Sequence, residues 1–128
     1  MTQREHPMQI SKVNLAEKLA LFSETYSPKI VGELNDSYVK VVKIQGEFVW
    51  HHHDAEDELF LVLKGRLTIH LRDGDVVLDP GELVVIPKGV EHKPEATEEA
   101  HVVLLEPKTT LNTGNLVNER TVEVLDRL

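Results

Sequence analysis

The sequence predicts an all-β fold, a sandwich or a barrel. Short segments of strand-type composition recur from Lys29 to Glu106, turn signals separate them, and no helix of crossover length interrupts them. The last point excludes a parallel α/β sheet. The expected strands are Lys29–Leu34, Tyr38–Gln45, Glu47–His53, Asp57–Leu63, Arg66–Arg72, Asp75–Leu78, Glu82–Ile86, His92–Glu95 and Ala100–Glu106. Between them lie Asn35-Asp36, Gly46, Lys64-Gly65, Asp73-Gly74, Asp79-Pro80-Gly81 and Lys88-Gly89, residue types that supply tight or left-handed turns.

The 128 residues form one domain, with residues 28–106 as the barrel. Residues 1–13 read as a flexible arm. Residues 14–23 read as a short helix, with Asn14 as N-cap, Glu17 at the third position, and Leu15, Leu19 and Phe22 as its apolar face. Residues 107–128 are turn-rich at first and then carry scattered apolar residues, a tail expected to pack on the barrel. Apolar residues make up 41%, enough for a globular core.

Composition removes several function classes. There is no cysteine, hence no disulfide, thiolate ligand or cysteine nucleophile. The net charge of −8 and the lack of a basic stripe argue against nucleic acid as a partner. No apolar run reaches membrane-spanning length and Met1–Gln9 lacks a signal-type apolar core, so the expected location is the cytoplasm, with no membrane partner.

The chemistry gathers in two stretches. In the first, Gly46 to Gly65, His51 and His53 are two apart and share a face if extended, while His52 points the other way. A turn at Asp54-Ala55-Glu56 brings the chain back, placing Glu58 beside the two imidazoles. Neutral imidazole with carboxylate suits first-row divalent metals. Glu56 and Asp57 read as solvated turn residues. In the second stretch, Gly81 to His92, Pro87 stops a strand and Gly89 permits a bend, after which His92 is aimed from a third strand.

Together the two stretches resemble the cupin superfamily, in its small single-domain form. The first motif reads Gly46, His51, His53, Glu58, Gly65; the second reads Gly81, Pro87, Gly89, His92. Two departures stand outside the ligand positions: Ala96 replaces the pattern's Asn, and four residues rather than five separate Gly46 from His51. The resemblance implies a double-stranded β-helix, or jelly-roll barrel, with the short helix preceding it. It implies one divalent transition metal per chain on His51, His53, Glu58 and His92. Fe or Mn is preferred by analogy, with Zn, Ni, Co or Cu as alternatives. Four ligands leave two octahedral positions open, as at catalytic metals.

The expected function is therefore a metal-dependent enzyme acting on a small chelating acid or carbonyl compound, dioxygenase-like, with lyase chemistry also open. The alternatives are a sugar or sugar-phosphate isomerase or epimerase, and a non-catalytic binding or sensing module. Alternation places Val49, Phe60 and Val62 around the site as apolar walls. Arg66 and Arg72 fall on the outward face with Thr68 and His70, which disfavours a phosphosugar. His101 reads as an ordinary histidine rather than a base. Several strands are apolar on both faces, so a homodimer is expected to cover the outer one.

Overall fold

The computed structural model describes residues 10–128. Of the arm expected over 1–13, residues 1–9 lie outside the described residues; 10–13 is exposed coil. Helix α1 spans Leu15–Leu19, and the Asn14 side chain accepts from the Glu17 amide at 3.0 Å. It is shorter than the expected 14–23.

The strands are β1 (Lys29–Leu34), β2 (Ser37–Glu47), β3 (Glu58–Lys64), β4 (Leu67–Leu71), β5 (Gly74–Leu78), β6 (Leu83–Ile86) and β7 (His92–Pro107), all paired antiparallel. The main sheet runs β1-β2-β7-β3-β6, and β4 joins β7 to β5. β7 is the spine: its first residues pair with β4, its later ones with β2 and β3. The two strands expected at 92–95 and 100–106 are thus one, because Glu95 to Glu99 holds no residue that would break it.

The strand expected over Glu47–His53 is not formed. β2 ends at Glu47, and only His51 makes a reciprocal bridge, with His92. The facing segment explains this: Phe48 donates to the Pro94 carbonyl at 2.9 Å, but proline has no N–H to return.

Alternation sets two apolar layers. Val42, Ile44, Phe60, Val62, Ile86, Val102 and Leu104 point into the barrel. Val31, Val41 and Val103 point out, beneath Leu15, Leu19 and Phe22 of the N-terminal helical segment and Leu128 of the tail. Burial of a large apolar side chain contributes about 1.5–3 kcal/mol, so α1 is held by this contact rather than by its own five residues. Leu83 and Val85, on the β6 edge, remain about half exposed. Among the described residues, no helix is long and apolar enough to cross a membrane.

Candidate metal centre

His51, His53, Glu58 and His92 converge at one end of the barrel, all four buried, with one potential ligand atom from each lying within 4.8 Å of the others. Each comes from a separate local device. Glu58 opens β3 and His92 opens β7. His51 and His53 sit on the irregular segment after β2, which three neighbours hold. His51 exchanges backbone hydrogen bonds with His92, Gly89 N–H donates to the His53 carbonyl at 2.7 Å, and Asn115 holds both backbone groups of His52 at 2.9 Å.

The rings are oriented as metal ligands are. His51 Nδ1 lies 2.8 Å from the Val49 carbonyl, and His92 Nδ1 lies 2.9 Å from the Val90 carbonyl. A carbonyl can only accept, so each Nδ1 carries the proton and each Nε2 presents a lone pair. His92 Nε2 then stands 3.2 Å and His53 Nε2 3.3 Å from the same oxygen, Glu58 Oε1. Buried His53 Nε2 has no hydrogen-bond partner. The His92 lone pair facing a carboxylate oxygen in a dry site is repelled by it unless a cation sits between them. The donor set and its orphaned nitrogen therefore fit a divalent metal.

Electrostatics agree. Burial, and next the neighbouring His92, lower the His51 pKa to about 4. Burial alone would raise Glu58, but its close neighbours Glu106, His53 and His92 carry it well below the usual carboxylate range.

Beside the cluster is a small cavity of about 40 Å³, lined by Val42, Ile44, Phe48, Phe60 and Leu104 together with His51, Glu58 and Glu106. Phe60 lines it as expected. Val49 does not; without a regular strand the alternation fails, and Phe48 takes the place. Val62 is buried deeper in the barrel core. Arg66 and Arg72 point outward, paired with Asp79 and Glu91. His101 lies on the outer face, in a groove with Leu15 and Leu19. Asp57 and Glu56 tie down loops, accepting from Lys88 N–H and the Thr109 hydroxyl.

Two charged residues escaped the sequence reading. Lys40 and Glu106 are each 2% exposed, with Nζ and Oε1 2.8 Å apart. Burial, then the charge of adjacent Glu58, push the Glu106 carboxyl upward, and Lys40 opposes them. The signal was present in phase: Lys40 precedes inward Val42 and Ile44, and Glu106 follows inward Val102 and Leu104, each two residues on.

Residues 38–107 match the Cupin domain family, Cupin_2. The chain belongs to this family. The cupin-2 domain containing protein from Shewanella frigidimarina is 48% identical, with a TM-score of 0.74 over 75% of this chain and 94% of that one. The uncharacterized protein YdbB of Bacillus subtilis is 42% identical over 49% of this chain and 57% of its own. Acireductone dioxygenase of B. subtilis is 31% identical over 61% of this chain and 47% of its own. 3-Hydroxyanthranilate 3,4-dioxygenase of Jannaschia sp. is 30% identical over 70% of this chain and 59% of its own. This cupin thus spans about half the length of the curated relatives it matches.

Proposed function

We propose that this cupin is a cytoplasmic, metal-dependent enzyme with dioxygenase-like chemistry on a small chelating acid or carbonyl compound, with Fe(II) or Mn(II) as its metal. The observation that carries the reading is the convergence of three imidazoles and Glu58 on one point, beside a mostly apolar cavity. The distant dioxygenase relatives support it. An ion bound there supplies Lewis-acid and redox chemistry to a chelating substrate.

The chain's own residues do the rest. Val90 and Val49 carbonyls fix the tautomers of His92 and His51, so the ligand nitrogens need no rearrangement. Phe48, Phe60, Ile44 and Leu104 restrict water and shape the space for a substrate of few atoms. Among the described residues no inward cation is free for a sugar phosphate: Lys40 is paired with Glu106, and Arg66 and Arg72 face solvent.

The test is oxygen uptake by anaerobically purified protein loaded separately with Fe(II), Mn(II) and Zn(II), against small hydroxy acids, enediols and thiols. Uptake with Fe(II) or Mn(II), lost in His53→Ala, is expected. Anaerobic turnover of a sugar phosphate would replace the reading with an isomerase. Metal and ligand binding without turnover would replace it with a binding module.

A further inference from the structure

Burying a lysine and a glutamate inside a barrel carries a desolvation cost, and apolar residues of similar volume commonly fill such space at equal or lower free energy. The fold itself does not require the Lys40–Glu106 pair, since the inward positions beside it on β2 and β7 are Val42, Ile44, Val102 and Leu104. Its place is informative: Glu106 lines the cavity together with Glu58 and His51. Lys40 takes Oε1, and buried Oε2 is left without a hydrogen-bond partner. A buried oxygen in that condition costs about 1–3 kcal/mol.

We propose that Glu106 is a specificity-determining residue: Oε2 accepts a hydrogen bond from an O–H or N–H group next to the ligand's chelating atoms, while Lys40 orients the carboxylate and balances its charge. This deepens the metal reading above and rests on it. The Lys40 ammonium 2.8 Å from Oε1 supports the carboxylate form, and a dication beside Glu58 would offset the Glu58 charge that otherwise pushes the Glu106 carboxyl upward. The substrate class is thus a small chelator with a hydrogen-bond donor next to its chelating atoms. A cavity of about 40 Å³ admits few atoms beyond the chelating group.

The experiment titrates the full-length Co(II)-loaded protein with acetohydroxamate and with N-methylacetohydroxamate, followed by Co(II) visible absorption. Both are monoanionic two-oxygen chelators, and they differ in carrying N–H or N–CH₃. Wild type is expected to prefer the N–H compound by about tenfold beyond the ratio for aqueous Co(II), the size of one hydrogen bond to a charged acceptor. The double variant Lys40→Met with Glu106→Leu is expected to bind Co(II) and lose the preference. Glu106→Gln should lose it too, because Lys40 would take the amide oxygen and leave NH₂ facing the ligand. It decides the matter should the double variant not fold. No preference in wild type, or a preference surviving in the variants, overturns the proposal. A normal Co(II) spectrum with no preference sinks this proposal alone, whereas wild type that binds no Co(II) sinks the metal reading and this with it.

Discussion

His51 and His92 are held to each other twice by backbone hydrogen bonds, at 3.0 and 2.9 Å, and each turns its Nδ1 onto the carbonyl two residues upstream. The two rings thus share one local geometry on two unrelated segments. A side-chain pair fixed in this way would lose little entropy on taking up an ion.

The same burial makes the metal-free protein acid-sensitive. His51 titrates near 4 when folded against about 6.5 when unfolded, so the folded state resists a proton that the unfolded state accepts. This contribution is complete above pH 6.5 and is lost as pH falls from there towards 4, up to about 3 kcal/mol. Urea unfolding of the metal-free protein at pH 7.5, 6, 5 and 4.5 should show the loss. A His51→Gln slope equal to wild type would show that another group is responsible. Glu58, held below its usual range, adds a separate loss at lower pH.

Breaking the Lys40–Glu106 pair should cost far more than replacing it. Lys40→Ala leaves a buried carboxylate without its counter-ion, and about 3–5 kcal/mol of destabilisation is expected. Lys40→Met with Glu106→Leu should lie within about 1 kcal/mol of wild type. Equal urea midpoints for Lys40→Ala and wild type would mean the pair is solvated in solution.

Gly114→Ala should loosen the metal centre from outside. A methyl group there would collide with the His52 carbonyl oxygen, and φ is +59°. Gly46 has φ of +80° with nothing within 4 Å, so Gly46→Ala carries only the backbone term of about 1–2 kcal/mol. We expect Gly114→Ala to lose at least about twice as much, and to surrender metal to a competing chelator more readily. Equal losses for the two variants would place the 112–116 loop off the barrel in solution.

A homodimer remains our expectation for the outer face. α1 and Leu128 cover its β1–β2–β7 side, while Leu83 and Val85 at the β6 edge stay exposed. Light scattering should give about twice 14.5 kDa, falling to one chain in Leu83→Lys with Val85→Glu. A monomeric wild type would show that α1 is cover enough.

What the sequence disclosed follows from which signals are local. Turn residues and alternation are local, so the barrel and its strands were legible; β1 coincides with the expected Lys29–Leu34. The spacing of His51, His53, Glu58 and His92 was visible as a pattern. The supports of those residues were not, because they depend on pairings remote in the chain. Pro94 deprives residues 48–50 of a ladder forty positions earlier, which moved Phe48 into the cavity in place of Val49. Lys40 and Glu106 stood in phase with inward residues, but composition alone marks a charged residue as a surface one.

The loop from Asn112 to Leu116 lies beyond the 38–107 stretch that defines the family, yet Gly114 rests on His52 and Asn115 clamps its backbone. The part of the sequence that shows the family and the part that completes the candidate centre are therefore not coextensive. Grafting residues 38–107 onto another scaffold would transplant the four converging side chains without the brace that spaces them. A comparison over residues 38–107 therefore does not read the segment that braces these four side chains.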